Sequence, residues 1–149
     1  MAPLIILITL FVLLSGLGFV HIPFAFGWWT SLRLALAGMF LLTASAHWGR
    51  RRSDLVRMVP PIFPRPDLLV TATGILEILG AIGLMLPSVA RYAALGLSLM
   101  LLAIFPANVH AAREHLTIAG TSVPALMPRT LIQIGFLAAT TAVFLAGAR

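Results

Sequence analysis

The sequence predicts an all-α membrane protein, and three observations support that prediction. Of its 149 residues, 60% are hydrophobic and 9% are charged, whereas a soluble domain carries about 25% charged residues. The mean hydropathy is +1.06. The hydrophobic residues are concentrated in five runs, each about as long as a helix that crosses a bilayer: Pro3–Val20, Leu32–Trp48, Leu68–Leu86, Val89–Ala107 and Thr130–Gly147.

Each of these runs is expected to be helical, because backbone groups inside lipid must be satisfied within their own segment. The first run has no basic residue before it and no small-residue cleavage site after it, which favours an uncleaved helix over a signal peptide. The second run could begin earlier, since His21–Trp29 is also mostly apolar, and tryptophan at 28, 29 and 48 would bracket it at headgroup level. One transmembrane domain therefore fills residues 1–149.

The segments between the runs differ in character. Gly49–Asp67 is rich in arginine and contains four prolines, which forbid a continuous helix. Pro87 and Ser88 form a tight turn, so the third and fourth helices should be an antiparallel hairpin. Asn108–Arg129 is a polar link, and Pro106 just before it should bend or stop the fourth helix.

The distribution of arginine predicts the orientation. The two polar links hold seven arginines, and the opposite side holds three, at positions 33, 91 and 149. Positively charged links stay in the cytoplasm, which places the N-terminus inside and the C-terminus outside a bacterial inner membrane. The net charge of +6 is then an orientation signal and an anionic-lipid contact, and we expect no nucleic-acid partner.

Glu77 is the most informative residue, because it lies at the centre of an otherwise uncharged run. A carboxylate at that depth costs about 2.5–3.5 kcal/mol on insertion scales, so it should face a partner or a wet cavity. Thr73, Gly80 and Ala81 share its helical face, and small residues allow close packing between membrane helices. This face should point into the bundle. The absence of cysteine excludes thiol chemistry and iron–sulfur ligation by this chain.

Three stretches together resemble the DoxX family of small bacterial membrane proteins. They are Arg33–Leu41 (RLALAGMFL), leading to His47 and Trp48, then Thr73–Ala81 (TGILEILGA), and Phe105–Ala112 (FPANVHAA). The resemblance extends over about residues 30–149. It implies a four-helix bundle formed by the second to fifth runs, with the N-terminal transmembrane helix as an addition that packs outside that core.

The same resemblance implies site residues and a function. Arg33, Glu77 and His110 lie at recurring polar positions of that family, and His47 lies where its members often have His or Lys. The family takes its name from a subunit of a thiosulfate:quinone oxidoreductase, and other members look like accessory parts of redox or stress-response complexes. The fold also looks similar to the sterol-isomerase and sigma-2-receptor group, in which a cavity with an acidic residue holds amphipathic ligands.

Each candidate residue has alternative roles. Glu77 could hydrogen-bond a neighbouring helix, form an ion pair with Arg33, or handle a ligand or proton. His47 and His110 could ligate haem or a shared metal, or make interfacial hydrogen bonds with a pH-sensing role. Asn108 could cap the broken helix end or line a pocket. A metal site at His110, Glu114 and His115 is the alternative to a solvated helix end, and we predict no metal site.

We therefore expect a polar pocket around Glu77, with Arg33 opposite and His47, Asn108 and His110 at its cytoplasmic mouth. The expected role is an accessory or quinone-associated subunit of a membrane redox or stress-response complex, which is not an enzyme on its own. Its partners would be the lipid bilayer, a redox subunit and a hydrophobic small molecule. One alternative is a binding protein for a lipid or isoprenoid. Another is an isomerase-like enzyme with Glu77 as general acid/base.

Overall fold

The computed structural model describes residues 2–19 and 27–147, and this part of the chain is mostly helical. Its elements, in chain order, are α1 (Ala2–Phe19), α2 (Trp28–Ser45), α3 (Arg52–Met58), α4 (Pro66–Met85), α5 (Ala90–Arg113), β1 (Thr117–Ile118), β2 (Thr121–Ser122) and α6 (Leu126–Ala146). Helix α4 begins with Pro66 in its first turn, where the missing N–H of proline costs nothing.

Four long helices surround one core. Helix α2 packs against α4, α4 against α5 and α5 against α6, and a less extensive α2–α6 contact closes the ring. Phe40, Leu36, Leu84 and Leu97 are almost completely buried between these helices. Helix α1 packs against α2, where Leu10 approaches Gly38, so it lies outside the four-helix ring.

Helices α4, α5 and α6 are long and apolar enough to cross a membrane. Their outer faces expose large hydrophobic side chains, including Leu79, Leu99 and Ile134, as expected for surfaces in contact with lipid. In α1, Ala2–Leu17 is a shorter apolar stretch of helix. Helix α2 has 18 residues, and Arg33 is one of them. The structure therefore supports a helical membrane protein, and the five-span count stays a prediction.

Of the two alternatives predicted for Pro106, that it stops the fourth helix or bends it, the first is wrong and the second stays a prediction. Helix α5 continues through Pro106 to Arg113. Proline removes one backbone donor, and a helix can continue when neighbouring side chains satisfy the carbonyls that are released. Helix α2 begins at Trp28, four residues before the predicted start at Leu32. Residues 20–26, where it could begin still earlier, lie outside the described residues, as does Arg149.

The two polar links contain local structure that the sequence analysis does not predict. Helix α3 lies in the first link and ends before Pro60, and the β1–β2 hairpin lies in the second. The hairpin turn is Ala119–Gly120, and both residues have positive φ angles, 51° and 76°. Helix α3 contacts β1, which confirms that both links lie at the same end of the bundle. That this end faces the cytoplasm stays a prediction.

Candidate functional site in the interface between helices α2 and α4

Glu77 is buried in the middle of α4, with 6% of its surface exposed. The same face of α4 also buries Gly74, Ala81 and Leu84. This face packs against α2 and the core, as the distribution of small residues predicts. The helices therefore separate the carboxyl group of Glu77 from both lipid and bulk water.

Two residues of the α2 end surround that carboxyl group. The hydroxyl of Thr43 donates a hydrogen bond to Oε2 of Glu77 at 2.8 Å. Nδ1 of His47 lies 3.9 Å from the same oxygen, and 8% of His47 is exposed. Because Thr43 and His47 are four residues apart, a single turn at the end of α2 presents both groups to Glu77.

The hydroxyl of Thr43 has two acceptors but one proton. It lies 3.0 Å from the carbonyl oxygen of Phe40 and 2.8 Å from Oε2 of Glu77. When Glu77 is ionised, Thr43 can donate to the carboxylate. When Glu77 is protonated, its O–H can donate to Oγ1 of Thr43, and Thr43 can turn its proton to Phe40. The same heavy-atom geometry therefore satisfies both protonation states.

The imidazole of His47 is oriented by its own helix turn. Nδ1 lies 3.2 Å from the carbonyl oxygen of Thr43, and a carbonyl only accepts, so Nδ1 carries the hydrogen. Nε2 is then the nitrogen that can take up a proton. The other side of the ring contacts Gly74, where an added Cβ would lie 2.7 Å from Cβ and Cγ of His47. The lack of a side chain at Gly74 is what allows this close approach.

Arg52 connects this cluster to the arginine-rich end. Its Nη1 donates to the carbonyl oxygen of His47 at 2.8 Å, and its Nη2 donates to Oγ1 of Thr71 at 2.9 Å. Nη2 also donates to the carbonyl oxygen of Asp67, and it lies 3.9 Å from the carboxylate of that residue. Arg52 therefore fixes the end of α2 to the first turns of α4.

Of the alternatives for Glu77, the structure shows the hydrogen bond to a neighbouring helix and not the ion pair with Arg33. None of the ion pairs within residues 2–19 and 27–147 joins these two side chains. Arg33 precedes Thr43 by ten residues, which is about 15 Å along α2, and so lies at a different depth from Glu77. The structure places Arg33 in a cavity at the opposite end of the bundle.

Asn108 belongs to a second buried polar cluster, between α5 and α6. Its Nδ2 donates to Oε1 of Gln133 at 2.6 Å, and Nη2 of Arg129 donates to its Oδ1 at 2.6 Å. Nε2 of Gln133 donates to the carbonyl oxygen of Leu101, in the turn that precedes Pro106. These bonds satisfy the side-chain amides of Asn108 and Gln133 in the part of α5 that contains its proline.

The remaining candidate, His110, lies in the last turn of α5, half-buried. Its side chain makes no hydrogen bond or ion pair with another described residue. Within residues 2–19 and 27–147, no group of three His, Asp or Glu side chains is placed to hold a metal, so His110, Glu114 and His115 do not form such a set. The five predicted residues thus do not share one pocket: His47 joins Glu77, and Arg33, Asn108 and His110 lie elsewhere.

Neighbouring side chains fill the space beside Glu77 on its face of α4. The positions that Gly74 and Gly80 leave open are filled by His47 and Leu97. Glu77 lines neither of two cavities of about 350 and 470 Å³ in the described part of the chain. Around its carboxyl group the cluster is a packed polar contact between helices.

Several partners in these clusters are not among the residues that the sequence predicts. Thr43 lies one helical turn before His47, and Gln133 is an uncharged polar residue inside an apolar run. Both are the kind of side chain that hydrogen-bonds between membrane helices. Arg52 carried no specific signal, because it is one of three consecutive arginines.

Comparison with known proteins corrects the predicted family. No curated protein and no solved structure matches the chain. The predicted resemblance to DoxX is wrong, because residues 36–145 match a different family and no DoxX match accompanies it. The matched segment is well over half of the chain and contains Thr43, His47, Glu77, Asn108 and Gln133. The chain belongs to the family described as Domain of unknown function (DUF8561).

Proposed function

We propose that this chain is an integral membrane protein that binds and releases a proton within its helical bundle, at the cluster of Thr43, His47 and Glu77. The observation that carries the proposal is the pair of acceptors around the Thr43 hydroxyl, which satisfies Glu77 in both protonation states. A buried carboxyl group with a purely structural role would need hydrogen-bond partners in only one protonation state.

The position of His47 supports the same role. The imidazole lies 3.9 Å from the carboxyl group, so the charge of either group acts on the other, and the two should titrate as a unit. His47 is also near the end of α2, where Arg52 holds its backbone. This arrangement gives a proton a short route between Glu77 and the polar end of the bundle.

The proposal can be tested by infrared spectroscopy of the protein in lipid, labelled with ¹³C-carboxyl glutamate. The chain has two glutamates, so Glu114→Gln leaves Glu77 as the only labelled group. We expect the band of a neutral carboxylic acid to convert into carboxylate bands as pH rises. In Thr43→Val the neutral acid should persist to higher pH, because the carboxylate has lost its donor.

Thr73→Val is the matched control, since the Thr73 hydroxyl bonds to carbonyl groups of its own helix, including that of Leu69 at 3.0 Å. In Thr73→Val, the conversion of the neutral acid into the carboxylate should occur at the same pH as in the parent protein. A labelled carboxyl that remains in one protonation state between pH 4 and 10, or a transition that Thr43→Val leaves unchanged, would show that the proposal is wrong.

A proton-binding component of this kind is best suited to an accessory role beside a partner in the membrane. Purification from native membranes in mild detergent, followed by native mass spectrometry, should recover that partner with the parent protein and less of it with Glu77→Gln. The quinone-associated redox role followed from the DoxX resemblance, and without that basis it stays an untested prediction. A retained quinone or isoprenoid in the same spectra would favour the ligand-binding alternatives instead.

A further inference from the structure

A cavity of about 350 Å³ lies at the end of the bundle opposite the arginine-rich link. It is formed where α2 and α5 begin and where α6 ends, and it is distinct from the Glu77 cluster. Arg33 and Arg91 both line it, together with the hydroxyl-bearing residues Thr30, Ser88 and Tyr92. Trp29 also lines it, and Trp29 and Tyr92 are 51% and 69% exposed, as is typical of aromatic residues at a membrane surface.

Both arginines have hydrogen-bonding capacity that the described residues leave unused. The Nε atoms of Arg33 and Arg91 are buried and have no hydrogen-bond partner there. The guanidinium of Arg91 lies over the ring of Phe144, 5.0 Å from its centroid. The ring holds the cation by a cation–π contact and offers no oxygen acceptor to the N–H groups of the guanidinium.

Within residues 2–19 and 27–147, no carboxylate forms an ion pair with either of these arginines. The ion pairs in the described part of the chain involve His47, Arg52 and Arg57, and neither cavity arginine. The chain has four acidic residues; Glu77 lies in the middle of α4, and Asp54, Asp67 and Glu114 belong to the opposite end. Two guanidinium groups in one partly buried cavity repel each other, and an anion between them removes that cost.

We propose that this cavity binds a phosphate group. Guanidinium groups pair with phosphate oxygens through two parallel hydrogen bonds, and the hydroxyl groups of Ser88 and Tyr92 supply further donors. A free phosphate and the headgroup of an anionic phospholipid share this chemistry. The site lies beside exposed Trp29 and Tyr92, which places a lipid headgroup within reach.

The test uses the full chain purified in phosphate-free detergent and then placed in phosphatidylcholine nanodiscs. One arm titrates inorganic phosphate and follows it by ³¹P NMR, with chloride at equal ionic strength as the reference. The other arm adds phosphatidylglycerol and measures retained lipid by native mass spectrometry. We expect Arg33→Gln and Arg91→Gln each to weaken binding at least about tenfold in the arm that reports binding, as for loss of a charged hydrogen bond.

Arg113→Gln removes the same charge from the exposed opposite end of α5 and should bind as the parent does. Arg91→Lys keeps the charge but loses the paired donors, so it should bind more weakly than the parent even if the Gln variants fold poorly. Binding in the first arm alone identifies free phosphate, and selective retention in the second identifies a lipid headgroup. Equal behaviour of the parent, the Arg33 and Arg91 variants and Arg113→Gln in both arms would overturn the proposal.

Discussion

At the scale of single residues, a missing side chain controls the Glu77 cluster. Gly74 allows the ring of His47 to lie against α4, and a Cβ there would come within 2.7 Å of His47 and 2.8 Å of Trp48. No real Cβ contact is that short, so the ring would have to move away from Glu77.

Gly74→Ala should therefore destabilise the protein by about 1–3 kcal/mol, the usual cost of overpacking. Gly96→Ala is the matched control, because Gly96 lies in α5 with no atom within 4 Å of its added Cβ. It should be neutral or stabilise the helix by about 0.5–1 kcal/mol. Unfolding in mixed micelles measures both changes, and equal stability of the two variants would contradict the packing argument.

Gln133 is the central residue of the second polar cluster. Gln133→Leu keeps the size of the side chain but leaves Nδ2 of Asn108 without its acceptor and removes the hydrogen bond to the carbonyl of Leu101. We expect a loss of about 1–3 kcal/mol in the free energy of unfolding, the cost of buried unsatisfied polar groups. A double-mutant cycle with Asn108→Ala should show less than additive losses, whereas additive losses would mean that the two residues do not interact.

At the scale of elements, Asp54 joins two links that are far apart in the sequence. Its Oδ2 accepts a hydrogen bond from the backbone N–H of Ala119 at 2.9 Å, and its Oδ1 accepts one from Arg57. Arg57 also donates to the carbonyl oxygen of Thr117 at 3.1 Å. Helix α3 and the β1–β2 hairpin are thereby held together.

This contact should weaken in acid. The N–H of Ala119, and next the guanidinium of Arg57, hold the pKa of Asp54 below its usual value. Its stabilising effect is therefore complete above the unfolded-state pKa and is lost as pH falls through the lower folded-state value. Hydrogen exchange at the Ala119 amide should accelerate over that acidic range. Asp54→Asn should abolish this pH dependence. The same dependence of Ala119 exchange on pH in Asp54→Asn would contradict the role of the Asp54 carboxylate.

The long elements were easier to predict than the links for a physical reason. An apolar run that is long enough to cross a bilayer has one low-energy state in lipid, the helix. Helices α4, α5 and α6 can therefore be predicted from composition. The hairpin depends on Ala119 at a positive φ angle, which alanine rarely adopts, and on a hydrogen bond from Asp54, 65 residues earlier. Neither feature can be recognised from the residues of the link itself.

The same distinction holds for the candidate site. The burial of Glu77 followed from its charge in an apolar run, and the face of α4 followed from its small residues. The choice of partner depends on the relative depth of α2 and α4, which a single sequence does not encode. The sequence therefore leaves Arg33 as one possible partner of Glu77, and the structure places Thr43 and His47 there instead.

At the scale of the whole molecule, the two polar links lie at one end and the Pro87–Ser88 turn at the other. The chain has no cysteine, so single cysteines can be introduced without background. Ser53→Cys and Ser122→Cys, one in each link, should react with a membrane-impermeant reagent from the same side of the membrane. Ser88→Cys should react from the opposite side, because α4 and α5 are long enough to span.

All three serines are exposed, so poor reactivity would not reflect burial. Intact inverted vesicles compared with spheroplasts identify the side, and the arginine distribution predicts that Ser53 and Ser122 are cytoplasmic. Labelling of Ser53→Cys and Ser88→Cys from the same side would contradict the spanning arrangement.

The contact between α3 and the hairpin has a mechanical consequence. The Pro87–Ser88 turn joins α4 to α5 at one end of the bundle, and at the other end the Asp54 hydrogen bonds join the α2–α4 link to the α5–α6 link. The α4–α5 seam is therefore restrained at both ends. The α2–α6 seam has the smaller contact, and among the described residues these bonds restrain it at the link end only. Thermal breathing of the bundle should therefore open a sideways gap there first, and the cavity of Arg33 and Arg91 lies at the end of that seam.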